Sequence, residues 1–354
     1  MTIRVVQWAT GGVGRAAIEG VLRHPELELV GCRVYSADKS GRDVGELVGS
    51  DPIGVRATDS RDEILALDAD CVVYAPLVGD DRDLEALLRS GKDVVTPVGW
   101  LYPDRSGSRA QVLERACQEG GSTLHGSGIH PGGITERFPL MVSAVSAAVT
   151  HVRAEEFSDI RTYGAPEVIR DIMGFGGPPE EAMAGPMLAL LEEGFKASVC
   201  MVVDELGFNA DPSLRSSQEV AVATAAIDSP IGVIEPGLVA ARRFVWEATV
   251  EGVPVVSAVV NWLMGEEHLE PAWTFGPAGE RFEVEVQGDP PVMLVFHGLQ
   301  PESIAAGLER NNGVVATANH CVSAIPYVHR AAPGIKTYLD LPLVAGRAAP
   351  GLSR

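Results

Sequence analysis

An unbroken run of mostly apolar residues, Ile3 to Trp8, gives way within a few positions to apolar side chains at helical spacing, Arg15 to Leu22, and the join holds Gly11, Gly12 and Gly14. A mostly apolar, partly β-branched run suits a strand buried on both faces, and the 3.6 period suits a helix packed on it. Gly12, Gly14 and Ala17 match the spacing G-x-G-x-x-(G/A). In that pattern the first small residue permits the turn, the second lets backbone approach a pyrophosphate, and the third lets helix and strand pack closely. Thr10, Gly11, Gly12, Val13, Gly14, Arg15 and Ala17 are therefore the expected phosphate cradle, with helix N-terminal amides directed at the anion. An ordinary strand-to-helix turn shares the motif, so its context decides.

A second strand-like run, Leu27 to Tyr35, follows the helix and completes β-α-β in the span a dinucleotide fingerprint requires. Cys71 to Ala75 and Asp93 to Thr96 also read as buried strands, separated by the helix-like "DDRDLEALLRSG", and "RAQVLERACQEGG" leads into "STLHGSGIHPGG". Repeated β-α alternation gives an α/β fold with a doubly wound parallel sheet. Beyond Thr135 the spacing is mostly helical as far as Phe195. Strand-rich runs follow, one a hairpin turning near Glu251 and Gly252, the other turning at a Gly-Asp pair after "ERFEVEV". The expected division is a nucleotide-binding domain over 1–135, an α+β domain with an open mixed sheet over 136–311, and a helix and tail over 312–354.

At 354 residues and 46% hydrophobic content the chain can bury a substantial core. A formal charge of -20 opposes nonspecific contact with nucleic acid or anionic membrane. Its apolar runs are too short to span a bilayer. Five cysteines without a CxxC pair argue for a reducing, cytoplasmic setting, with neither disulfides nor a zinc site. The apolar strands of the second domain need covering, so a homodimer is expected. After the second strand comes Ser36, where an acid would hold the adenosine ribose of NAD. Ser36 and Lys39, aided by Arg15 or Arg42, suit the 2′-phosphate of NADP; Asp38 keeps NAD open.

The stretches "QWATGGVGRAAI", "SADKSGRDVGELVG", "HGSGIHPGGITERFPL" and "TANHCVSAIPYVHRAAPGIKTYLDLP" resemble the dihydrodipicolinate-reductase-like oxidoreductases, in particular the 2,4-diaminopentanoate dehydrogenases and native amine dehydrogenases. The resemblance implies an N-terminal Rossmann domain, a dimerising α+β domain, a final helix returning to the first domain, and nicotinamide-dependent reduction of C=N or C=O bonds. It also places Ala75 and Pro76 beside the nicotinamide ribose. Members that aminate carry Glu-Glu-Leu before Tyr-Pro; here "TPVGWLYPDR" has Gly99 and Trp100 at the carboxylate positions.

Three residues are candidates for proton transfer. His130, ahead of Pro131, carries an imidazole that can donate to a carbonyl oxygen and is the leading acid; Tyr102 has a phenol that can serve an alkoxide; Asp104 is the nearest carboxylate to the missing pair. Each also has a plain structural reading, as loop tie, packed aromatic and turn residue. Trp100, Phe138, Met173 and Phe175 are candidates for an apolar pocket, and Gly174, Gly176 and Gly177 for a segment that closes over substrate. No third ligand joins His125 and His130, so no metal is expected. The expected substrate is a hydrophobic carbonyl or amine. An ammonia-independent carbonyl reductase and a nucleotide-binding sensor without turnover are the alternatives.

Overall fold

The computed structural model describes residues 2–349, 351 and 352. The chain divides into two compact units, one built from residues up to Ile129 together with those from Val314 onward, the other from His130–Gly313. These divisions fall slightly inside and outside the expected 135/136 and 311/312. The first differs because Gly133–Arg137 form a widened helical turn within the second unit, where the Thr135 hydroxyl lies 3.1 Å from that of Ser198.

The first unit opens with β1 (Ile3–Trp8), α1 (Gly12–Arg23), β2 (Leu27–Arg33), α2 (Val44–Val48), β3 (Ala57–Thr58), α3 (Arg61–Ala66), β4 (Cys71–Tyr74), α4 (Asp81–Arg89), β5 (Asp93–Thr96), α5 (Ser108–Gly120) and β6 (Thr123–Gly126). The second holds α6 (Phe138–Ser143), β7 (Ala147–Asp159), α7 (Pro179–Ala184), α8 (Met187–Leu206), β8 (Arg215–Ala223), β9 (Ile227–Ser229), β10 (Gly232–Ile234), β11 (Val239–Val250), β12 (Val253–Leu263), β13 (Leu269–Glu270), β14 (Arg281–Asp289), β15 (Val292–Phe296) and α9 (Ile304–Glu309). Helix α10 (Asn312–Val328), whose first turn contains the division, and β16 (Gly334–Lys336) return to the first unit.

The first sheet runs β16-β6-β5-β4-β1-β2-β3 and is parallel throughout. Its strands are apolar on both faces because both are covered. On one face Ile3, Val5, Ala17, Ile18 and Val21 pack with Ala318, Cys321, Val322 and Ile325 of α10. On the other, Val6, Trp8 and Val72 pack with Leu84, Leu87 and Leu88 of α4 and Leu113 of α5. Each such aliphatic side chain contributes about 1.5–3 kcal/mol on burial. This is the doubly wound, Rossmann-like sheet expected.

The second sheet is mixed, ordered β13-β8-β11-β12-β7-β14-β15. The hairpin turn falls where expected, with Glu251 at φ 51 and Gly252 at φ 81. The helical expectation for Thr135 to Phe195 is corrected in the middle of that span, because β7 lies between β12 and β14. Arg153, Glu155 and Glu156 obscure its alternation, yet their charges are met inside the sheet, with Arg153 bonding Glu155, Glu283 and Glu285.

Candidate active site

Gly11 flanks the start of α1 in extended conformation, with no side-chain cap on the helix and no acid in its first turn. A Cβ on Gly11 would meet nothing within 4 Å, and one on Gly12 only Val314 Cγ1 at 3.5 Å. Those two glycines are not required by packing, and both are exposed. Gly14 is different, since its Cβ would stand 2.1 Å from the Ala9 carbonyl oxygen. Gly14 thus lets the helix sit on the preceding turn, and the open backbone surface lies at Gly11 and Gly12. Ala9 holds φ 74, and the buried Gln7 donates from Nε2 to the Trp8 and Ala9 carbonyls at 3.1 and 3.0 Å. Sequence reading missed both residues, since neither carries a motif. Free amides over an open glycine surface fit a pyrophosphate.

Past β2, Lys39 Nζ lies 3.4 Å from Thr10 Oγ1, which brings a cation to the start of the glycine turn. The Ser36 hydroxyl donates to the Asp38 carboxylate, and that bond holds the acid below its ordinary range. Arg33 lies over the Trp8 and Tyr35 rings, 5.7 and 5.0 Å from their centroids. Ala75 follows β4 directly, its amide donating to the Trp8 carbonyl, and Pro76 follows.

Open α/β sheets bind ligands beyond the carboxyl ends of their strands. Beyond β5, Gly99 and Trp100 adopt φ 73 and 63, and Trp100 is only 5% exposed, with the Arg109 guanidinium 4.5 Å from its ring centroid. It belongs to the core beneath α4 and α5, which corrects its pocket role. Tyr102 is half-buried. Asp104 is exposed and accepts from the Ser106 amide and hydroxyl at 2.9 and 2.6 Å, which lowers its pKa and commits it to a turn. Beyond β6 and β16, the Tyr338 hydroxyl lies 3.1 Å from both Ser127 Oγ and His320 Nδ1. His320 Nδ1 also lies 2.6 Å from the Gly128 carbonyl, which makes it the donor there. His125, fully buried, uses Nδ1 on the Lys336 carbonyl that joins β16 to β6.

His130 is placed by the structure in the second unit, four residues past the end of β6 rather than at it. Its Nδ1 stands 2.9 Å from Glu156 Oε2, and its ring meets Phe195 and Phe282 edge-on at 4.9 and 5.6 Å between centroids. The side chain is 2% exposed, and Nε2 is buried with no hydrogen-bond partner among the described residues. Glu156 also accepts from Ser158 Oγ at 2.6 Å and Trp262 Nε1 at 3.0 Å.

Glu136, six residues on from His130, is wholly buried. Burial pushes its carboxyl up to about 8, against the pull of bonds from Thr135, Ser198 and the Gly132 amide. Phe138 stacks on Phe296 at 5.2 Å, while Met173 and Phe175 are core, the Met173 carbonyl accepting from Arg242 at 2.5 Å. The glycine segment is pinned to β11 by bonds between Gly176, Gly177 and Val239 of 2.9 and 3.0 Å, which corrects its reading as a mobile closure. No group of three or more His, Cys, Asp or Glu suited to a metal occurs among the described residues, and no helix there is long and apolar enough to cross a membrane.

Residues 134–349 match the family model of the 2,4-diaminopentanoate dehydrogenase C-terminal domain. The chain is 33% identical to an amine dehydrogenase of Streptomyces virginiae over 96% of each sequence. It is 25% identical to the 2,4-diaminopentanoate dehydrogenase of Acetoanaerobium sticklandii, over 66% of this chain and 61% of that one. An amine dehydrogenase structure from Mycobacterium smegmatis shares the fold at a TM-score of 0.76, with 21% identity and 98% of both chains covered.

Proposed function

The chain belongs to the 2,4-diaminopentanoate dehydrogenase family, and on that premise we propose that it interconverts a hydrophobic carbonyl compound, taken with ammonia, and the corresponding amine. The bound nicotinamide nucleotide would supply the hydride chemistry. The observation that carries this reading is the open backbone at Gly11 and Gly12, where α1 begins without a side-chain cap, a surface that suits a pyrophosphate. Ser36 and Lys39 would take the 2′-phosphate of NADP, Ala75 and Pro76 would flank the nicotinamide ribose, and His130 would handle the proton. Tyr102 remains a candidate donor; Asp104 is left out because its turn uses the carboxylate. The homodimer inferred from the strand-rich second unit is kept.

A second reading is ammonia-independent carbonyl reduction, favoured by Gly99 and the buried Trp100 where a carboxylate would steady an iminium. A panel of hydrophobic ketones and aldehydes, assayed for NADPH loss at two ammonium concentrations, separates the two. Rates that scale with ammonium support amination, and equal rates support the reductase. NADPH binding without oxidation by any carbonyl would leave a sensor.

The cofactor assignment is tested through Lys39. Lys39→Ala is expected to weaken NADPH binding about tenfold, the loss of roughly 1.4 kcal/mol for one charge-assisted contact, while NADH binding stays within twofold. Fluorescence titration measures both. Equal losses would mean that Lys39 does not read the 2′-phosphate, and that Asp38 directs the site to NAD.

A further inference from the structure

We propose that His130 and Glu156 act as one proton-handling unit, Glu156 being the positioning residue that enables His130 to take a proton from ammonium and return it to the departing substrate oxygen. This rests on the amination reading. Ammonium has no lone pair with which to attack a carbonyl, so amination needs a base first and an acid afterwards. Gly99 and Trp100 offer neither. In the first unit the carboxylates past the sheet ends are engaged: Asp80 caps α4 and pairs with Arg82, Asp104 holds its own turn, and Asp340 pairs with Arg105.

Glu156 is set up otherwise. Its two oxygens accept from His130 Nδ1, Ser158 Oγ and Trp262 Nε1, so it is held as an acceptor, the ionised form. A donor at Nδ1 leaves the neutral imidazole with its lone pair on Nε2. Phe195 and Phe282 clasp the ring and fix where that lone pair points. A buried polar atom without a partner costs about 1–3 kcal/mol, a cost that a ligand donating to Nε2 would remove. His130 is the fourth residue past the end of β6.

The chemistry balances. One N–H bond of ammonium breaks, its electron pair stays on nitrogen, and the proton moves to Nε2, where the anionic Glu156 stabilises the imidazolium. Ammonia then adds to the carbonyl carbon as the C=O π pair moves to oxygen, and a proton passes from nitrogen to that oxygen. Nε2 returns its proton to the resulting hydroxyl, which leaves as water while the nitrogen lone pair closes C=N. Carbonyl and ammonium have become iminium and water, with the histidine unchanged.

Glu156→Gln keeps the size and an acceptor for Nδ1 but removes the charge. Its apparent KM for ammonium is expected to rise at least thirtyfold, while the carbonyl KM and the NADPH Kd stay within threefold. His130→Phe keeps an aromatic ring against Phe195 and is expected to lose amination at least a hundredfold with an unchanged melting temperature. Independently of turnover, the 15N signal of His130 Nε2 in the wild-type apoprotein should shift with ammonium chloride and not with sodium chloride. An indifferent signal, an ammonium KM that moves no more than the other constants, or amination by His130→Phe overturns the unit. If ammonium fails to accelerate the wild type at all, the amination reading falls and carries this proposal with it; an ammonium-dependent wild type beside a Glu156→Gln variant with an unchanged ammonium KM defeats this proposal alone.

Discussion

Gly14→Ala and Gly12→Ala, two changes of one methyl group in the same turn, will fail in different ways. The first puts a Cβ 2.1 Å from the Ala9 carbonyl oxygen, a backbone atom that Gln7 holds in place. Strand and helix must separate to admit it, at about 3 kcal/mol or more, and the melting midpoint should fall by roughly 5–10 °C. The second puts its methyl in ordinary contact with Val314, so the fold should be unaffected. The same methyl occupies the surface a diphosphate would approach, and NADPH binding should weaken at least thirtyfold. Calorimetry of both variants, with and without nucleotide, checks the contrast. If Gly12→Ala binds NADPH as the wild type does, the phosphates lie elsewhere.

The second large effect concerns pH. Glu136 is wholly buried and keeps its proton until about 8, because desolvation opposes the charge. Unfolding exposes it, and its pKa returns to the ordinary value of 4.5. Below that value both states are protonated and the group has no effect on the balance. As pH rises from there towards 8 the unfolded chain loses the proton and the folded one keeps it, so stability falls, by a limit of roughly 5 kcal/mol at 1.36 kcal/mol per pH unit. Above about 8 both are ionised and the loss levels off. Glu136→Gln retains an acceptor for the Gly132 amide and removes the titration, so it should be the more stable protein at pH 8.5 and approach the wild type at pH 4.5. A stability difference independent of pH would show that Glu136 does not titrate in this way.

The first unit was largely legible because its signals are local. β4 is apolar without interruption and β1 mostly so, and a helix covers each face. The turn between β1 and α1 was legible for the same reason, but the roles within it were not. Ala9 at φ 74 leaves no mark in a sequence, and only the geometry shows which glycine is needed for packing. β7 was hidden because Glu155 and Glu156 imitate the charged side of a helix, and their partners, such as Asn261 for Glu155 and Trp262 for Glu156, lie more than a hundred residues away. His130 stood out by its neighbours Pro131 and Gly132, but the carboxylate that orients it sits on that same unrecognised strand. Trp100 and Phe175, taken for a pocket, were core, as apolarity alone does not separate a cavity lining from an interior.

The first sheet is finished by α10 and β16, from which residues 130–313 separate its other parts. On a ribosome, Val5, Ala17 and Val21 emerge long before Val322 and Ile325, which will cover them. The intervening segment is continuous and forms a compact unit of its own. Once compact, it leaves a shorter loop to close between the two portions of the other unit, and the entropy opposing their union falls. The order of translation thereby makes the later fold the assembly jig for the earlier one.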